Sequence, residues 1–126
     1  MGFTDQTALI SSLLDRADAF VVVLDSYGRI VRVNVTFEEA CGFPAEEIKG
    51  KDFCEQFLAS GEAIKIRLRI QHPEQSQIPQ KLETSCIFAD GSQTRILWWT
   101  SPLFDRHLSL EYIILTGLIS DDDLHH

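Results

Sequence analysis

Two stretches near the end of the chain constrain its fold more than any others. Gln93 to Phe104 (QTRILWWTSPLF) and Leu110 to Ile119 (LEYIILTGLI) read as strands, and both are apolar front and back. Ile96 and Trp98 share one face while Leu97 and Trp99 share the other; Tyr112, Ile114 and Leu118 oppose Ile113, Leu115 and Ile119. A sheet with one face in water would alternate cleanly between apolar and polar residues, so this one must be covered on both sides. A chain of 126 residues fits one domain, and the covers must come from short segments upstream or from a second chain.

Those segments follow in order. An apolar run from Ala19 to Leu24 meets Asp25-Ser26-Tyr27-Gly28, and Arg29 to Val33 then alternates charged and apolar residues. This is the pattern of a fully buried strand, a tight turn in which Gly28 takes φ > 0, and a strand with one wet face. Asn34 stands where its side chain can cap a helix over Val35 to Cys41, which Gly42-Phe43-Pro44 stops. Ala45 to Ile48 begins another helical turn, with Glu46 and Glu47 suited to its N-terminus, and Gly50 ends it. Lys51 to Leu58 places Phe53, Phe57 and Leu58 on one helical face. From Ala63 to Gln71 the alternation of Ile64, Ile66, Leu68 and Ile70 with Lys65, Arg67 and Arg69 looks like a strand, while the residue types favour helix. His72 to Gln80 is a Pro-containing loop, Lys81 to Phe88 a strand, and Ala89-Asp90-Gly91-Ser92 a second hairpin turn.

At the start of the chain, Ala8, Leu9, Ile10, Leu13, Leu14 and Ala17 repeat at helical spacing. A helix of about three turns is marginal alone, so its stripe must dock, either on its own domain or on a second chain. Residues 35 to 70 cover one face of the sheet, and this stripe is the apolar material left for the other. An uncovered face of that size exceeds what monomers tolerate, so we expect a homodimer.

The spacing of Asp25, Gly28, Ile30, Asn34, Phe37, Gly42, Glu47 and Gly50 resembles the first half of the sensory PAS domain, "DxxGxIxxxNxxFxxxxGxxxxExxG". The second half is similar too: a "DG" turn at Asp90-Gly91, a Trp-containing strand and a closing strand with a glycine, Gly117, near its exit. The resemblance spans about Ala17 to Ser120 and implies an α+β fold. It predicts a five-stranded antiparallel sheet with short helices on one face, and the longest helix at Ala63 to Gln71, which decides that segment for helix. The expected layout is an N-terminal amphipathic helix over 1–18, a sensor domain over 19–120, and a linker with a purification-tag remnant (Leu124-His125-His126) over 121–126. What it implies of function is a sensory module of a bacterial signalling protein. Such a module relays a signal to an output domain in the same polypeptide, a histidine kinase or a cyclic-dinucleotide enzyme. One departure stands out: the family's "DIT" exit is here Leu118-Ile119-Ser120, with leucine in place of the acid.

Composition excludes several other classes. Nineteen acidic against eleven basic residues give a charge of −8, the wrong sign for a nucleic-acid surface. No apolar run approaches a membrane span, no secretion signal opens the chain, and a cytoplasmic location is expected. Cys41, Cys54 and Cys86 show no CxxC spacing and read as free core thiols. No GxSxG, P-loop, GxGxxG or HExxH motif occurs, His72 and His107 lie in polar settings, and Asp121 to Asp123 read as a solvated tail, so no enzyme and no metal site are expected.

What remains is the space between helices and sheet. Its expected lining is Asn34, Phe37, Ile48, Phe53, Phe57, Ile64 and Leu68 from the helical side, with Ser85, Ile87, Leu97, Trp99, Ile114 and Thr116 from the strands. Asn34, Ser85 and Thr116 would supply the polar contacts. The same residues fit a filled core, which leaves a ligand-sensing module and a ligand-free dimerisation or relay module both open. Flavin-binding relatives carry "NCRFLQ"; the comparable Asp52-Phe53-Cys54-Glu55-Gln56-Phe57 has its cysteine one place late and lacks the flanking Asn and Arg. Haem-binding relatives use a histidine on the long helix, and His72 falls just past it. No cofactor is therefore assigned; a small organic molecule or anion, or nothing, is expected.

Overall fold

The computed structural model describes residues 18–71 and 80–120. Five strands, β1 (Phe20–Asp25), β2 (Ile30–Val33), β3 (Gln80–Ile87), β4 (Gln93–Phe104) and β5 (Leu110–Ile119), form one antiparallel sheet in the order β2-β1-β5-β4-β3. Among the described residues, four helices lie between β2 and β3 in sequence: α1 (Val35–Cys41), α2 (Ala45–Ile48), α3 (Phe53–Phe57) and α4 (Ser60–Gln71). The helix expected over 63–71 is therefore a helix, one turn longer at its start. The expected N-terminal helix, His72 with its loop and the acidic tail lie outside the described residues.

Local chemistry explains the first half. The Asp25 carboxylate accepts from Tyr27 N at 2.8 Å and Arg29 N at 2.9 Å, which closes the turn in which Gly28 takes φ +86. Asn34 does more than cap α1. Its Oδ1 accepts from Phe37 N at 3.1 Å and from Val21 N at 3.0 Å, and its Nδ2 donates to Ala19 O at 2.8 Å. One buried amide thus joins β1 to the junction of β2 and α1. Glu38 Oε2 accepts from Ala45 N at 2.7 Å and so fixes the start of α2. Asp52 caps α3 through Glu55 N at 3.1 Å and pairs with Arg67 Nη2 of α4 at 3.6 Å.

The core lies between these helices and one face of the sheet. Phe37, Ile48, Phe53, Phe57, Ile96, Trp98 and Leu115 are wholly buried there. Trp98 pairs with Gly117 across β4 and β5, and a Cβ on Gly117 would stand 2.5 Å from the indole Cε3. The ring lies across the bare backbone of its neighbour, an approach that only glycine allows. β1 is buried on both faces, Val22 at 0 % exposure and Val21 at 2 %, as its apolar run requires.

Replacing Gly117 with alanine should push the indole out of its slot and cost about 1–3 kcal/mol, the usual range for overpacking. Asn34→Ala should cost about 3 kcal/mol, because it orphans two backbone N–H groups and a carbonyl at a buried site. Urea titrations of both variants check these values; a wild-type midpoint for either would contradict the packing described.

Candidate functional site

The helix–sheet interior is built around aromatic rings. The Phe37 ring centre lies 5.2 Å from Phe57, 5.6 Å from Phe20, and 6.2 Å from both Phe88 and Trp98. Phe53 packs edge-on to Trp98 at 5.9 Å and lies 5.5 Å from Phe57. Most of these contacts are edge-to-face or tilted, the arrangements that ring quadrupoles favour. Phe37, Phe53, Phe57, Ile48 and Trp98 are at 0 % exposure, so no water-sized space touches them from outside or from within. The interior at these residues is filled.

Its polar groups come from the sheet, from Asn34 and from Cys54 of α3. Trp98 Nε1 donates to Thr84 Oγ1 at 3.0 Å, and Thr84 Oγ1 stands 3.6 Å from Cys86 Sγ. Cys54 Sγ contacts Ala63 O at 3.7 Å. Burial pushes the Cys54 thiol from an ordinary 9.0 to about 11 and does the same for Cys86; it raises Cys41 as well. Thiols held protonated in this way are poor nucleophiles and poor metal ligands. Among the described residues no group of three or more His, Cys, Asp or Glu could hold a metal ion.

Of the residues expected to line this space, the structure brings some together and separates others. Phe37, Ile48, Phe53 and Phe57 come together in the interior. Asn34 is buried beside them with Oδ1 and Nδ2 engaged by backbone. The strand residues need correction. Ser85, Ile87, Leu97, Trp99, Ile114 and Thr116 lie half-buried on the opposite face, while Thr84, Cys86, Ile96, Trp98, Ile113 and Leu115 point into the core. Alternation separates the two faces without saying which is inner, and the close approach of Trp98 to Gly117 belongs to the inner one. Ile64 and Leu68 also need correction, at 54 % and 48 % exposure. Helix α4 turns Ala63 and Ile66 inward, because Glu62 and Lys65 hold it to the edge of β3 through Ser85 N and Glu83 O, both at 3.0 Å.

A signal for the inner face was present: the charges of β3 and β4, Lys81, Glu83 and Arg95, all share the parity of Trp99, which marks that parity as the wetter one.

With the geometry in place, comparison with known proteins identifies the family. A family model described as PAS fold matches residues 8–118. The chain belongs to this family. No curated protein matches it. Among solved structures, the PAS domain of a protein from Colwellia psychrerythraea superposes with a TM-score of 0.78 at 17% identity, covering 92% of this chain and 98% of that one. The PAS domain of an HTR-like protein from Haloarcula marismortui gives 0.75 at 17%, covering 93% of each. The PAS domain of the quorum-sensing receptor RpfR from Cronobacter turicensis, solved in complex with BDSF, gives 0.68 at 23%, covering 82% and 95%. Identities at this level speak for the PAS fold, and no described helix of this PAS domain is long and apolar enough to cross a membrane.

The buried thiols yield a pH dependence of definite sign. Below pH 9 both Cys54 and Cys86 are protonated whether the chain is folded or not, and their contribution is whole. Between about 9 and 11 only the unfolded chain releases these protons, so stability should fall by about 1.4 kcal/mol per pH unit for each thiol. Urea unfolding across this range checks it, and a Cys54→Ser, Cys86→Ala variant should lose that part of the slope.

Proposed function

We propose that this PAS domain is a non-catalytic sensory and regulatory module. It relays a signal through β5 to an output domain in the same polypeptide, a histidine kinase or a cyclic-dinucleotide enzyme, in the cytoplasm. The observation that carries the relay reading is the ring packing: Phe37, Phe53, Phe57 and Trp98 are each at 0 % exposure, so a ligand among them has to move a ring. The signal then travels by packing. On the outer face, half-buried Leu97, Trp99 and Ile114 lie beside Leu118, which is 49 % exposed. That surface suits a homodimer contact in which the Ala8–Ala17 stripe takes part.

A second reading, small-molecule sensing, has support from RpfR, whose PAS domain was solved with BDSF and with C12:0. Here an apolar ligand would have to displace the Phe37–Phe57 pair, and the Thr84 hydroxyl beside Trp98 would meet its polar end. The relevant side chains would be Phe37, Ile48, Phe53 and Phe57 with Thr84, Cys86 and Trp98. A ligand of this kind acts only by binding two arrangements of the domain unequally.

Mass spectrometry of the purified domain should find no retained small molecule, and a thermal-shift screen including medium-chain fatty acids should give no saturable rise in Tm. A retained compound with a saturable shift would replace the relay reading with the ligand reading. Light scattering at high micromolar concentration should report a dimer; a monomer there would remove the dimer contact.

A further inference from the structure

Glu83 of β3 has partners on two sides, helix α4 and strand β4. Its carbonyl oxygen accepts from Lys65 Nζ of α4 at 3.0 Å. The same ammonium lies 3.4 Å from Glu62 Oε1, which accepts from Ser85 N at 3.0 Å. Glu62 and Lys65 thus meet the open edge of β3 where another strand would pair. The Glu83 side chain makes different contacts. Its Oε2 accepts from Arg95 Nε at 3.2 Å, and the Ser120 side chain hydrogen-bonds to the same carboxylate. Ser120 N in turn donates to Arg95 O at 2.9 Å. The first residue beyond β5 is therefore tied to Arg95 by its backbone and to Glu83 by its side chain. Bonding to Arg95 and Ser120 holds the Glu83 carboxyl below its ordinary range, so it stays charged at neutral pH.

We propose that Glu83 couples the position of α4 to the exit of β5, as a positioning residue whose carbonyl is held by Lys65 and whose carboxylate holds Arg95 and Ser120. Moving α4 withdraws Lys65 from the β3 edge, frees the backbone at Glu83, and lets its carboxylate leave the exit. The arrangement places an acid on β3 where the exit itself carries Leu118. Such solvent-exposed contacts are individually weak, so the effect falls on local opening of the exit and not on global folding. The proposal deepens the relay reading, on which it rests for the direction of the signal.

Amide exchange followed by NMR on this chain tests it. Lys65→Ala should speed exchange of the Ser120 amide at least threefold while Leu115, in the middle of β5, keeps its wild-type rate. In a Glu83→Ala background, Lys65→Ala should add nothing further, and Lys65→Arg, which keeps a donor, should leave Ser120 near wild type. An unchanged Ser120 rate in Lys65→Ala would overturn the coupling. So would an equal acceleration with and without the Glu83 carboxylate, or a rise spread evenly over all five strands. Because the readout lies inside the domain, the relay reading can fail at the output while this coupling stands, and the reverse.

Discussion

The indole of Trp98 lying over the bare backbone of Gly117 decides which side of the sheet is the inside. A side chain of that size at 0 % exposure needs a neighbour with no Cβ, and the pairing of β4 with β5 brings Gly117 opposite it. Once Trp98 points inward, Ile96 and Thr100 on its own strand and Ile113 and Leu115 on the next must follow, since strand side chains alternate. The rings of Phe20, Phe37 and Phe53 then close around it at 5.9–6.4 Å.

The sheet is also sealed at its sides, and one stretch of chain does both. Gly50 N donates to Ile30 O at 2.8 Å and Ile30 N donates to Lys51 O at 2.9 Å, which closes the β2 edge. Further along, Leu58 bridges to Cys86, and Glu62 and Lys65 satisfy Ser85 N and Glu83 O on the β3 edge. Exposed edges invite pairing with other chains, and here backbone and charged side chains take that role. With rings packed at Phe37, Phe53, Phe57 and Trp98, a change there must move large side chains. A helix shift at α4 disturbs hydrogen bonds at a partly exposed edge, whereas any change inside must move whole rings.

Much of this was legible in the chain. The turn at Asp25 to Gly28, the cap at Asn34, the bounds of α1, α2, β4 and β5, and the aromatic lining contributed by Phe37, Phe53 and Phe57 all follow from side-chain chemistry and spacing along neighbouring residues. Alternation does not set the inward sign of the strands, although Lys81, Glu83 and Arg95 carry a hint of it. The inner face of α4 was legible least. Its alternating isoleucines fit strand and helix alike, and its apolar residues point both toward the core, as Ile66 does, and away from it, as Ile64 and Leu68 do.

The amino-acid sequence alone determined the elements other than α4, their order along the chain and the two-faced apolar character of the closing strands, because turn chemistry, capping and alternation act between residues close in the chain. Tertiary structure alone decided which face became the interior, which side of α4 met it, and that Glu83 joins a helix to the exit. Those outcomes rest on contacts such as Trp98 with Gly117 and Glu62 with Ser85, between residues far apart in the chain, and their registers exist only once the sheet has formed.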